Sequence, residues 1–184
     1  DFVPASEIFI AGAVVAIIGL IPLYFVFRNI KPRKQTLHTE DEKNLDEEKP
    51  HNEYPRPQLK RDSYINLNGL WEYKITYKKD IPTEYDGNIL VPFPLESRLS
   101  KVQKELKRNQ YLFYKKEFTL PENFKKDKVI LHFQAVDQIA TVYVNGHEVA
   151  YHENGYLPFE AEIQDYLEEV NTIIVKVKDN LDPK

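Results

Sequence analysis

Hydrophobic positions along this chain follow two different rules. From Ile8 to Phe27 there are twenty successive residues without a charge, bounded by Glu7 and Arg28. Thirteen of the twenty are Ile, Leu, Val or Phe. At about 1.5 Å rise per residue the run is roughly 30 Å long, the thickness of a bilayer's hydrocarbon core. Each of those side chains favours insertion by about 0.3 to 0.6 kcal/mol near the centre, and the sum outweighs Gly12, Gly19 and Pro22. A core helix is seldom apolar on every face. A cleaved signal carries its basic residues before the apolar run, whereas here Asp1 and Glu7 precede it and Arg28, Lys31, Arg33 and Lys34 follow. The pattern predicts a short flank over 1–7 and one transmembrane helix over 8–27. The positive-inside rule then puts the C-terminal flank, and the rest of the chain, on the cytoplasmic side.

From residue 28 to residue 56 apolar positions almost vanish. A basic flank gives way to Glu40, Asp41, Glu42, Asp46, Glu47, Glu48 and Glu53. A stretch with so little to bury does not offset the entropy of ordering, so it reads as a solvated tether between membrane and domain rather than an acidic docking tail. Pro50, Pro55 and Pro57 stiffen its end.

Beyond residue 57 the period changes to two. Trp71, Tyr73, Ile75 and Tyr77 alternate with Glu72, Lys74 and Thr76. A short run over 89–93 is stopped by Pro92 and Pro94, and 111–120 is a third run. Val129, Leu131, Phe133 and Ala135 alternate with Ile130, His132 and Gln134. Residues 139–144 lead into Asn145-Gly146, a strong two-residue hairpin signal because both positions of a type I′ turn need positive φ. Residues 148–152 should return antiparallel, and 172–177 is a further strand with Ile173, Val175 and Val177 on one side. Helical periodicity is weak; a turn or two is expected over 101–108 and over 164–169. Short strands at this spacing without intervening helices predict an antiparallel sandwich or jelly roll.

Composition narrows the function classes. The net charge of -4 and the scattered basic residues give no footprint for nucleic acid. The absence of cysteine excludes disulfides, thiolate nucleophiles and zinc ribbons. Neither HExxH, a P-loop, a dinucleotide fingerprint nor GxSxG occurs, so no cofactor and no metal is expected. There is no methionine, even at position 1, and the chain reads as a piece of something longer.

Several segments together resemble the N-terminal part of family 2 glycoside hydrolases. They are Pro57-Gln-Leu-Lys-Arg-Asp-Ser-Tyr-Ile-Asn-Leu-Asn-Gly-Leu-Trp71, Val91-Pro-Phe-Pro-Leu-Glu-Ser-Arg-Leu-Ser100 and Tyr114-Lys-Lys-Glu-Phe-Thr-Leu-Pro121. Next come Leu131-His-Phe-Gln-Ala-Val-Asp137, Val142-Tyr-Val-Asn-Gly146, Asn154-Gly-Tyr-Leu-Pro-Phe159 and Val175-Lys-Val-Lys-Asp179. Each is weak alone; their shared order and spacing is specific. The family includes β-galactosidases, β-glucuronidases and β-mannosidases. The resemblance implies a mainly β, galactose-binding-domain-like jelly-roll sandwich over 57–184, truncated before its closing strands. In the family it precedes an immunoglobulin-like domain and a barrel that carries the two catalytic glutamates. Asn154 departs from the family's "GGY", a substitution that asparagine's tolerance of positive φ should accommodate. The run 101–108 is longer than the family's loop.

A retaining glycosidase needs two carboxyl groups about 5 to 5.5 Å apart. Glu96, Glu117, Glu148, Glu153 and Glu160 read instead as solvent-facing strand or loop positions, so no catalytic residue is assigned within this chain. Among the histidines (His38, His51, His132, His147 and His152), His147 and His152 flank one strand, and their odd spacing predicts opposite faces. The resemblance implies one sugar contact, Asp179, whose family counterpart points at the substrate; its plain alternative is a turn aspartate. Trp71, Tyr73 and Tyr156 offer stacking surfaces, Trp71 being more at home in a core, while Asp137 and Asn145 read as turn residues. The function expected is sugar binding within an enzyme that hydrolyses terminal β-glycosides, with carbohydrate and membrane as partners and a homo-oligomer as the assembly. The rivals are a membrane-tethered carbohydrate binder acting alone and a structural module that touches no sugar.

Overall fold

Alternation becomes strand where one face can be buried, and among the described residues eight strands result. They are β1 (Gly69–Thr76), β2 (Gly87–Val91), β3 (Tyr111–Phe118), β4 (Ile130–Phe133), β5 (Ile139–Val144), β6 (His147–Glu153), β7 (Phe159–Glu162) and β8 (Asn171–Lys178). The computed structural model describes residues 45, 46, 48, 50, 51, 63–122, 124 and 128–179. The transmembrane helix read over 8–27 lies outside the described residues, as does most of the tether over 28–56.

The strands form two antiparallel sheets. Six lie in the order β2-β1-β3-β8-β5-β6, and β4 pairs with β7 in a second, two-stranded sheet. One hydrophobic cluster joins the two layers. Trp71, Tyr73, Leu112, Val142, Ile173 and Val175 come from the large sheet, while Val129, Ala161 and Ile163 come from the small sheet and its flanks. This is the two-layer β-sandwich that the periodicity predicts. Strand β8 shows the cause most simply: Asn171, Ile173, Val175 and Val177 are buried and the residues between them are not. Trp71 is 7% exposed and donates its indole N–H to the Leu67 carbonyl at 2.8 Å. It is therefore a core residue with its polar handle satisfied.

The Asn145-Gly146 turn forms as read, with φ of 49° and 83°. Asn145 does more than turn the chain. Its side chain donates to the Tyr166 carbonyl (2.7 Å) and to Asn171 Oδ1 (3.0 Å) and accepts from the Thr172 N–H (2.8 Å). Asn171, fully buried, in turn accepts the Glu168 N–H and donates to the Glu168 carbonyl. Two asparagines thus pin the β5–β6 hairpin to the start of β8.

Four expectations are corrected. No helix forms over 101–108: Lys101 and Gln103 take φ of 69° and 53°, and the Lys104 N–H bonds back to the Leu95 carbonyl. Over 164–169 the helical turn shrinks to a 3-10 turn at Gln164–Tyr166. Tyr77 falls beyond β1 and is 64% exposed. His147 and His152 do not lie on opposite faces. The β5–β6 register shifts between Val142 and Tyr143, leaving Val149 as an extra residue. His147 therefore opposes Val144 and His152 opposes Ala140, both inward-facing and fully buried. A bulge adds one residue to the count and flips the face of everything after it.

Candidate functional site

At one end of the sandwich two five-residue connections run side by side. Residues 134–138 join β4 to β5, and residues 154–158 join β6 to β7. Strand β8 ends at the same edge, because Lys178 pairs with Ile139. Asp137 therefore comes from one connection, Gly155 and Tyr156 from the other, and Asp179 from the end of the strand that neighbours β5.

Gly155 is the point of contact. A Cβ there would lie 2.8 Å from the Asp137 carboxyl carbon, closer still to Oδ1, and 3.2 Å from the Asp137 Cα. The glycine is needed for close approach rather than for a left-handed backbone, since its φ is not in that region. Asn154 likewise departs from expectation: it avoids positive φ and holds the turn through its side chain. Its Oδ1 accepts the N–H groups of Tyr156 (2.9 Å) and Leu157 (3.2 Å), the bond pattern of an Asx turn. The result lifts Tyr156 and Leu157 outward, 91% and 56% exposed.

Asp179 sits in a negative environment. Burial first, then the carboxylates of Asp137 and Glu96, push its carboxyl above the usual range. Burial and Glu96 also push the Tyr114 phenol upward. Glu96, which the sequence places on solvent, therefore contributes charge to the same end. The candidate Asp179 and the turn residue Asp137 are brought together; nothing in the pattern of either segment signals it, because the link runs through tertiary structure.

Beside this end, β4 and β7 frame a shallow cavity of about 150 Å³ lined by His132, Phe133, Gln134, Pro158, Phe159 and Glu160. His132 Nδ1 lies 2.8 Å from Glu160 Oε1, a consequence of the cross-strand pairing of the two residues. Phe133 stacks on Phe159 at 4.7 Å, and Phe159 stacks on His152 at 4.5 Å. The His152 Nε2 is buried and has no hydrogen-bond partner among the described residues. The aromatic candidates separate cleanly: Trp71 and Tyr73 are core, whereas Tyr156 is exposed and available. Among the described residues no three His, Asp or Glu side chains are grouped to hold a metal ion.

A family model described as glycosyl hydrolases family 2, sugar binding domain, matches residues 40–182. A β-galactosidase of Thermoanaerobacter pseudethanolicus is 43% identical over 108 residues, covering 56% of this chain and 14% of its own length. A β-glucuronidase of Felis catus is 31% identical over 127 residues, 60% of this chain and 19% of its own. Among solved structures, a Lactobacillus rhamnosus β-glucuronidase superposes with a TM-score of 0.54 at 28% identity, over 63% of this chain and 21% of that one. A Ruminococcus gnavus β-glucuronidase in complex with C6-substituted uronic isofagomine gives 0.53 at 26% identity over the same share. The chain thus spans about a fifth or less of the length of these relatives.

Proposed function

We infer carbohydrate recognition from one premise: this chain belongs to the sugar binding domain family of the family 2 glycosyl hydrolases. The observation that carries the inference is the coincidence of that match with an end of the sandwich built for polar ligands, where Asp179, Asp137 and Glu96 gather beside an exposed Tyr156. A carboxylate accepts two hydroxyl protons through charge-assisted bonds, which suits it to a sugar's vicinal hydroxyls. Asp179 is the residue proposed to make that contact. The fold is read as a galactose-binding-domain-like jelly roll.

The reaction proposed for the whole protein is hydrolysis of a terminal β-glycoside with retention, its catalytic carboxylates supplied by a barrel that these residues do not contain. This part positions the sugar and buttresses an oligomer. The apolar run 8–27 anchors it to a membrane with the sandwich on the cytoplasmic side, supported by the basic flank Arg28 to Lys34. A second reading, a structural module that touches no sugar, draws on the exposed Tyr156 and Leu157, which are also suited to a protein partner.

Isothermal titration of the full chain with β-linked galactosides and glucosides separates the two. Saturable binding that weakens about tenfold or more in Asp179→Asn supports the first reading. No binding of any saccharide leaves the structural module standing instead.

A further inference from the structure

Asparagine followed by glycine is the dipeptide most prone to attack by the backbone on its own side chain, because glycine leaves the attacking nitrogen unhindered. Three such pairs occur here: Asn68-Gly69, Asn145-Gly146 and Asn154-Gly155. The fold treats them differently. We propose that Asn154 is a site of spontaneous, backbone-driven deamidation that adds a carboxylate to the site end, while Asn68 and Asn145 are shielded. The proposal does not depend on the carbohydrate reading.

The reaction asks for a free nucleophile, an activated side-chain carbonyl and a leaving amide that nothing retains. Asn154 meets all three. The Gly155 N–H donates to no group among the described residues. The Asn154 Oδ1 accepts the Tyr156 N–H at 2.9 Å and the Leu157 N–H at 3.2 Å. Both bonds draw electron density from Cγ, and both are placed to hold the charge that Oδ1 acquires when Cγ becomes tetrahedral. Two backbone donors on one carbonyl oxygen are the arrangement of an oxyanion hole. The bond from Tyr156 also closes a small ring that contains both Cγ and the Gly155 nitrogen, so the reacting atoms belong to one closed turn. Among the described residues no hydrogen bond retains Nδ2.

The step is internal and needs no oxidant, reductant or cofactor. The Gly155 nitrogen gives up its proton and bonds to Cγ. The Cγ–Nδ2 bond breaks and Nδ2 leaves as ammonia, taking up that proton, so that a succinimide ring remains. Water then opens the ring at one of its two carbonyls. Breaking the new bond to Cγ yields aspartate in an ordinary chain; breaking the original peptide bond yields isoaspartate, with Cβ and Cγ in the main chain. Either product puts a negative charge beside the contact of Gly155 with Asp137. Aspartate still accepts the two N–H groups, whereas isoaspartate lengthens the connection and shifts Gly155 against Asp137.

The other two pairs are held away from this path. At Asn145 the leaving Nδ2 is tied to the Tyr166 carbonyl (2.7 Å) and to Asn171 Oδ1 (3.0 Å), and Oδ1 to the Thr172 N–H (2.8 Å). All three partners lie on other segments, so turning the amide toward Gly146 breaks every bond. At Asn68 the Nδ2 donates to the Pro50 carbonyl at 3.1 Å, and Gly69 is already paired with Val91 in the sheet.

The test ages the full chain at mildly alkaline pH, folded in a zwitterionic detergent and, in parallel, unfolded in urea. Samples are cleaved after glutamate, which separates Asn145 from Asn154 at Glu148, and mass spectrometry reads the exchange of NH₂ for OH in each peptide. In the folded protein Asn154 should convert about tenfold or more faster than Asn68 or Asn145, and no slower than it does in urea. Native isoelectric focusing should show one acidic species growing with age, absent from Asn154→Gln. Conversion of Asn154 that is slower folded than in urea means that the turn protects the amide, and overturns the proposal. Folded-state conversion of Asn68 or Asn145 as fast as that of Asn154 overturns it as well, because the hydrogen bonds then select nothing.

Discussion

Gly155→Ala tests whether the two connections at the site end are held by direct contact. The two plausible effects of this change have opposite signs. Gly155 does not occupy the left-handed region, so alanine fits its backbone and should stabilise by about 0.4–1 kcal/mol through the unfolded chain. Against that, the added methyl lies 2.8 Å from the Asp137 carboxyl carbon and 3.2 Å from its Cα, where carbon–carbon contacts prefer about 3.5–4.0 Å. The carboxyl can swing away at about 0.5–1.5 kcal/mol of rotamer strain, but the Cα moves only with the backbone of 134–138. Overpacking of this kind costs about 1–3 kcal/mol. The net expectation is destabilisation of about 1–2 kcal/mol, lowering Tm by about 4–10 °C for a domain of this size. Thermal unfolding followed by far-ultraviolet circular dichroism measures it. A double-mutant cycle with Asp137→Ala isolates the cause, because removing the carboxyl relieves part of the clash, and a coupling of about 1 kcal/mol is expected. A Gly155→Ala protein that is more stable than the parent, or whose effect simply adds to that of Asp137→Ala, refutes the close approach.

The other predictions concern charge and the asparagine clamp. Asn171→Ala removes three hydrogen bonds from a fully buried position. Asn145 keeps the Tyr166 carbonyl and the Glu168 groups can reach water, so the cost should be about 2–4 kcal/mol in urea unfolding; a loss below about 1 kcal/mol would show that the clamp is ornamental. Asp86 accepts from Lys74 Nζ at 2.7 Å and from the Ile75 N–H at 3.1 Å. Burial opposes these bonds, but they win and hold its carboxyl below the usual range. A depressed carboxylate stabilises the fold above its unfolded pKa and loses that contribution as pH falls through the folded one. Asp86→Asn should therefore cost about 0.5–1 kcal/mol at pH 7 and nothing in strong acid, once the folded carboxyl is protonated, and parallel pH–Tm curves for the two proteins would be the contrary result. Asp179 has the opposite sign: its carboxyl is raised, so its charge is a burden above the folded pKa that acid relieves. Asp179→Asn should raise Tm at neutral pH while weakening saccharide binding, the trade expected of a functional residue; a lowered Tm with unchanged binding would make it an ordinary turn aspartate.

The strands were legible in proportion to how much of their pairing is local. Residues 139–144 are read from the sequence with the bounds of β5, because Asn145-Gly146 fixes the turn and the turn fixes the register. Strand β8 is read within one residue at each end, because strict alternation against a single core leaves no other solution. The short β7 is not readable as more than strand or loop: Phe159–Glu162 has only four residues, and its partner β4 lies far back in the sequence. The bulge in β6 is invisible for a related reason. Nothing in His147-Glu-Val-Ala-Tyr-His152 announces that Val149 has no opposite number, yet that one residue decides which side both histidines occupy. The error over 101–108 is of another kind. A basic stretch with Leu106 and Val102 at helical spacing is compatible with a turn of helix, but Leu95 and Ser100 capture its backbone first.

The site was legible only as single residues, for a reason that also explains its chemistry. Asp137, Asp179, Glu96 and the His132–Glu160 pair come from five different segments, and no spacing rule relates them. What the sequence does encode is the means of assembling them: a glycine where two connections must touch, an asparagine whose side chain ties the next turn, and a strand that ends in an aspartate at the shared edge. These devices collect like charges, which a fold optimised for stability alone would disperse. Burial and the charges of Asp137 and Glu96 all disfavour the ionised form of Asp179, a cost that acid, or a hydroxyl or positive charge presented to its carboxylate, relieves.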